Sequence, residues 1–198
     1  MKGLLVLLFV VAAAVWGWFH FLAPKHYAPG ILIPDDPEQS TLPDPQELFR
    51  HGKASLQPLA GYSIEARVLH TRHYRTGDVA AIAPYDVAVG WGVMSDQSVL
   101  DRLEITQANR FYFWEYQDNP PIPKNEIIAH SANMHLIPAS DALRRKIAWL
   151  RPGDLIRMKG LLVEVTLPGR NPWRSSLSRT DNGNGACEIM WVESLEKR

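Results

Sequence analysis

A single cysteine, seven histidines and one run of polar side chains between apolar flanks carry most of the chemistry this chain could perform. Cys187 lies in NGNGACEIMWVE, where Gly183 and Gly185 lead into a strand-like run. A thiol becomes a strong nucleophile when an imidazole shares its proton or nearby positive charge lowers its pKa. His130 and Arg179 are the candidate partners, one as base and the other beside a developing oxyanion. The competing reading is that Cys187 packs as a small hydrophobe. On a strand it shares its face with Ile189 and Trp191, and that pattern favours packing.

The segment IIAHSANMHLIPAS, 127–140, sets His130, Ser131, Asn133 and His135 between apolar flanks. Ser131, Asn133 and His135 are read as ligand-binding candidates. They are joined by Asp181 and Glu188 from the polar loop around Cys187, and by Trp91 between Gly90 and Gly92. Arginines and hydroxyls near a tryptophan suit an anionic or sugar-like ligand. No metal site is expected. His130 and His135 are five residues apart, so a continuous strand turns them to opposite faces. No phosphate-loop or dinucleotide glycine pattern occurs, and no cofactor is expected.

The order His130, then GDLI at 153–156, then Cys187 resembles the segment order of sortases. That resemblance implies a thiol acyl-transferase or peptidase using Cys187, His130 and Arg179. The chain departs from the family in having GNGAC where sortases carry TLxTC, and in placing its arginine before the cysteine. The phrases GWGVMSD, HSANMHLIP and SRTDNGNGACE together resemble a set of bacterial membrane-anchored proteins with no assigned activity. This second resemblance implies an envelope protein and supplies no catalytic residue.

The elements that must position these residues are mostly strands. YSIEARVLH alternates Ile64, Ala66 and Val68 with charged residues, which is the period of a half-buried strand. RFYFWEYQ, NEIIAH and ACEIMWVESL read as further strands, and LIRMKGLLVEVTL as a hairpin or bent strand with a bulge at Gly160. Two short helices are expected: SDQSVLDRL, capped by Ser95, and SDALRRKIAWL, capped by Ser140 with Leu143, Ile147 and Leu150 on one face. The fold class is therefore mostly β, a small antiparallel barrel or sandwich with two short helices, preceded by one transmembrane helix.

Gly3 to Ala23 holds 21 residues without a charge and closes in an aromatic cluster. As a helix it would cover roughly 30 Å, the thickness of a hydrocarbon core. It is read as an uncleaved anchor over 1–23, partnering the membrane through residues 3–23; a cleaved signal peptide ending near Ala14 is the alternative. Residues 24–47 carry six of the fifteen prolines and read as an extended tether holding a globular domain, 48–198, off the bilayer. With 21 basic and 21 acidic side chains and no basic stripe, nucleic acid is not an expected partner. These features suggest a single-pass protein of the bacterial inner membrane with its C-terminal domain in the periplasm. The expected role is a binding or assembly module for an envelope protein or cell-wall component.

Overall fold

The computed structural model describes residues 2–18, 23–43, 46–178 and 186–198. Helix α1 (Lys2–Gly17) leads into an extended segment bearing β1 (Glu38–Ser40) and β2 (Phe49–His51). A 20-residue strand, β3 (Ala54–His73), is followed by α2 (Asp78–Ile82) and β4 (Tyr85–Gly90). A 3-10 turn (Gly92–Ser95), α3 (Gln97–Leu100), the hairpin β5 (Glu104–Ala108) and β6 (Phe111–Glu115), and α4 (Lys124–Ala129) then lead to β7 (Ser131–Pro138). Helix α5 (Asp141–Ala148), β8 (Leu155–Thr166), β9 (Trp173–Arg174) and β10 (Glu188–Lys197) complete the order.

The protein is mostly β, and its main sheet contains eight strands. Strand β3 pairs with β4 along residues 67–73 and with β8 along residues 55–67. The pairings β3–β4–β7–β10–β8–β3 therefore close into a ring, a five-stranded barrel without open edges among those strands. All the ring pairs are antiparallel except β7 with β10, which is parallel. This corrects the expectation of a purely antiparallel sheet: β8 lies between β7 and β10 in sequence but on the far side of β10 in space. Register shifts at 68/70, 58/60 and 192/194 bend the strands enough to close the ring. The bulge expected at Gly160 lies on its partner instead, around Glu193. β8 is one unbroken strand, and a Cβ at Gly160 would collide with the Trp191 carbonyl.

Inward residues such as Ile64, Val87, Met134, Leu136, Met158, Leu162 and Met190 fill the barrel. Helix α5 closes one end through Leu143 and Ile147, and its cap is the expected one: Ser140 Oγ accepts from the Leu143 amide at 3.3 Å. The other expected cap is displaced by one residue. Asp96, not Ser95, accepts from the Ser98 amide at 2.8 Å. Two helices beyond the expected pair are present, α2 and α4. The segment NEIIAH, expected as a strand, is α4. It starts after Pro123, pairs Glu126 with His130 one turn on, and turns Ile127 fully inward.

The proline-rich residues do not hold the barrel at a distance. From Lys25 to Ser40 they form a strap bound along it. The amides of Tyr27, Gly30, Leu32 and Ile33 donate to Gln97, Asp96 and Ser95 side chains at 3.0 Å each. Ile33 is buried in the barrel core, the Trp91 indole donates to Asp36 at 2.9 Å, and β1 pairs with β3 at residues 61–63. Proline bars helix and fixes φ, but the residues between the prolines keep their N–H groups, and these bind the barrel. The folded unit thus begins near residue 25 rather than 48. Arg67 lies beneath the strap, 2% exposed, donating to Ser95 O at 3.0 Å and to Gln97. Burial pulls its pKa below the ordinary arginine value, and Tyr27, whose ring it covers, Asp101 and Asp96 partly offset this.

Among the described residues no helix is long and apolar enough to cross a membrane. Helix α1 has 16 residues, about 24 Å, and residues 19–22 of the expected span lie outside those described.

Candidate functional site

Strand alternation sorts the β7 side chains into two sets. Ala132, Met134 and Leu136 point into the barrel; Ser131, Asn133, His135 and Ile137 point out. On the neighbouring strand β4 the outward residues are Asp86 and Ala88. None of the polar ones is solvent-exposed: Asp86 is 0%, Asn133 2% and His135 2% accessible. The β5–β6 hairpin and Trp173 cover them, so a polar layer lies between two apolar clusters outside the barrel.

A buried polar layer persists only if its groups satisfy one another. His135 Nδ1 donates to Asp86 Oδ1 at 2.8 Å, and Arg110 Nη1 reaches the same oxygen at 2.7 Å. Asp86 Oδ2 finds no donor among the described residues. Asn133 Nδ2 donates to the Arg110 carbonyl at 2.8 Å, Gln107 Nε2 donates to Asn133 Oδ1 at 2.6 Å, and His70 Nδ1 meets Gln107 Oε1 at 2.9 Å. Tyr112 and Ser131 share a hydrogen bond at 2.6 Å. Burial pushes the Tyr112 phenol above its ordinary pKa, and the nearby Glu188 charge adds to that shift.

Arg110 organises the layer. It is the second residue of the hairpin turn, where Asn109 and Arg110 have φ of 51° and 72°. Two consecutive positive φ values define a type I′ turn, which matches the twist of paired strands but strains an arginine. Five contacts hold it there. Its amide donates to Tyr74 Oη at 3.0 Å, and its guanidinium lies 3.8 Å from the Tyr74 ring centroid. The same group donates to Ala83 O at 2.9 Å and to Asp86, and its carbonyl takes the Asn133 amide. The hairpin tip is thereby latched to the barrel wall.

Of the expected site residues, Asn133 and His135 belong to this latch, and Ser131 extends it toward Tyr112. Cys187 reaches its margin. The thiol is half-buried, with Asn133 Nδ2 at 3.8 Å and the Arg110 carbonyl at 3.9 Å. Its parity with Ile189 is as expected. His130 is elsewhere. It caps α4, its Nδ1 contacts Glu126 O at 3.0 Å, and its ring packs against Gly92. The register pairs Glu188 with Met134 and so sets Cys187 level with Asn133. His130 lies before β7, at the C-terminal end of α4. The expected Cys187–His130 pair is not brought together. Trp91 is also separate: its ring is 1% exposed, part of the barrel interior rather than a ligand platform. Glu188 is buried at the start of β10. Arg179 and Asp181 lie outside the described residues. Among those described, no group of three metal-binding side chains converges.

Sequence reasoning missed Asp86, Arg110 and Gln107. Asp86 left one signal, a carboxylate alone in the apolar run YDVAVG.

An imidazole whose Nδ1–H is held by a carboxylate is oriented as in a hydrolase triad, leaving Nε2 as a base. Here the ring is 2% exposed and its centroid is 4.7 Å from that of Trp173. A base must come within hydrogen-bond reach of the proton it takes, and His135 is sealed. The arrangement serves to fix a hairpin on a barrel. Fold and site together define a class: a closed five-stranded β-barrel with a helix between its third and fourth ring strands and a polar, roofed outer face. Compared with protein-family models, curated proteins and solved structures, the chain shows no match to any of them.

Proposed function

We propose that this protein is a single-pass component of the bacterial inner membrane whose periplasmic barrel is a binding or assembly module for an envelope partner. The observation that carries the reading is α1. Every residue from Gly3 to Trp16 is exposed, and the helix is apolar on all sides. A helix of that kind needs an apolar surround, either a protein core or a lipid bilayer. The barrel offers none, since its interior is already filled. On this reading the small barrel is preceded by a membrane helix, α1. Five-stranded Greek-key barrels commonly serve as binding platforms; that support is analogy from fold alone.

Fractionation tests the anchor. The full chain is expected to stay in the membrane pellet after carbonate washing, with its barrel open to added protease in spheroplasts. Release of intact chain by carbonate, or complete protection in spheroplasts, refutes the assignment.

Thiol chemistry tests the module against the sortase-like alternative. If the barrel is a binding module, Cys187, which is half-buried, is expected to react with a maleimide or disulfide reagent no faster than an ordinary thiol of that exposure. Modification near neutral pH well above that rate would mean an activated thiolate and favour the enzyme.

A further inference from the structure

We infer that the barrel lies against the bilayer through a basic face centred on Trp149, and that this face takes anionic lipid headgroups. The inference rests on the anchor reading and adds an orientation and a lipid preference to it. The Ala23 amide donates to Trp18 O at 2.9 Å, and two residues later the Lys25 amide donates to Pro152 O at 2.9 Å. At about 3.5 Å per residue, Pro24 and Lys25 allow roughly 7 Å between the end of the apolar segment and that turn. A bilayer holding α1 therefore has the turn 152–154 at headgroup depth.

The residues around that turn suit such a location. Trp149 is 67% exposed, at the end of α5. Lys197 Nζ donates to the Trp149 carbonyl at 2.6 Å and to Asp154 at 2.7 Å, while Lys25 Nζ meets Asp154 at 2.9 Å. Arg145 and Lys146 form the basic last turn of α5. With Trp149, Lys197, Glu196, Leu195 and the exposed Ala142 they line a cavity of about 700 Å³. The lining thus holds three cations, Arg145, Lys146 and Lys197, and one carboxylate, Glu196. The chain as a whole has no net charge, so the excess is local. An exposed indole ringed by basic side chains matches the two demands of the interface, an amphipathic ring at headgroup level and cations against anionic lipid. An acidic protein would also fit the charge. The short reach from α1 selects the bilayer.

The test uses the full chain in nanodiscs. In a Cys187→Ser background, Trp149→Cys carries an environment-sensitive fluorophore, and Ala142→Cys provides a second exposed labelling position on the same face. With phosphatidylglycerol in the discs, the emission is expected to shift to the blue and iodide quenching to fall. In phosphatidylcholine alone, or with Arg145→Glu and Lys146→Glu, both effects are expected to be clearly smaller, since the reach remains and the charge attraction does not. Labels that stay quenchable in phosphatidylglycerol discs, while the chain co-purifies with them, overturn the inference, leave the anchor standing and open the face to an acidic protein partner. A chain that fails to remain with the discs overturns the anchor and the inference together.

Discussion

Replacing Asp86 with alanine is expected to destabilise the protein by about 3–5 kcal/mol, the range for removing one partner of a buried ion pair. The carboxylate is fully buried and carries two donors on one oxygen, the Arg110 guanidinium at 2.7 Å and His135 Nδ1 at 2.8 Å. Alanine leaves the His135 Nδ1–H without its acceptor and sealed from water, and leaves the Arg110 guanidinium with the Ala83 carbonyl but no counter-charge. The loss should fall near the upper end because His135 is itself 2% exposed. Arg110 would also lose one of the contacts that offset its positive φ of 72°. Two measurements check this. Urea unfolding of detergent-solubilised chain should show a lower midpoint, and limited tryptic cleavage should appear at Arg110 and Arg102 before the barrel unfolds. Asp86→Asn keeps one acceptor oxygen and should lose less. An unchanged midpoint and hairpin cleavage for Asp86→Ala would mean that the latch does not hold the hairpin.

The latch shows why the candidate site was only half legible in the sequence. Alternation predicts opposite faces for His130 and His135 on one strand, but His130 ends α4 and only His135 lies on β7, so they are separated by a change of element. The same logic placed Cys187 with Ile189. It also recovered the α5 face of Leu143, Ile147 and Leu150, whose Ser140 cap is a local signal. Asp86 was passed over for a tertiary reason. All six residues of β4 are buried, since the hairpin roofs the outer face and erases the inside–outside contrast that marks a half-buried strand. Arg110 read as the first residue of an aromatic strand, yet it turns a hairpin in a conformation that glycine usually supplies. Distant contacts from Tyr74, Ala83, Asp86 and Asn133 hold it there, and composition gives no hint of them. At residues 125–130 two adjacent isoleucines suggested β structure, but Pro123 and the Glu126–His130 pair favour a helical turn, and burial of Ile127 decides the outcome.

The strap was misread for a related reason, and Asp154 offers the sharpest test of its new role. Prolines suggest a free spacer because they bar regular structure. Yet a segment without internal hydrogen bonds has its amides and carbonyls available for another surface. One end of that surface is Asp154, 1% exposed, with Lys25 at 2.9 Å, Lys197 at 2.7 Å and the Arg151 amide at 3.0 Å. Removing the carboxylate by Asp154→Asn is expected to cost about 3 kcal/mol, the lower end because Lys25 and Lys197 are about a third exposed and can regain water. Burial works to raise the Asp154 pKa, but the hydrogen bonds from Lys197, Lys25 and the Arg151 amide outweigh it and hold the carboxyl below the usual carboxylate value. A carboxyl depressed in the folded state stabilises the fold above its unfolded pKa, about 3.9, and loses that contribution as pH falls through the folded value. The difference in unfolding free energy between the natural chain and Asp154→Asn should therefore be full at about pH 6 and shrink as pH falls below about 4. At neutral pH the variant should also expose Lys25 to trypsin, since the cation and the strap leave together. A difference that does not change with pH, or a Lys25 bond that stays protected, would show that the strap is held by Ile33, Ser95 and Arg67 alone. Asp154 would then only cap the turn before β8, and the short reach between α1 and the barrel would lose its ionic clasp.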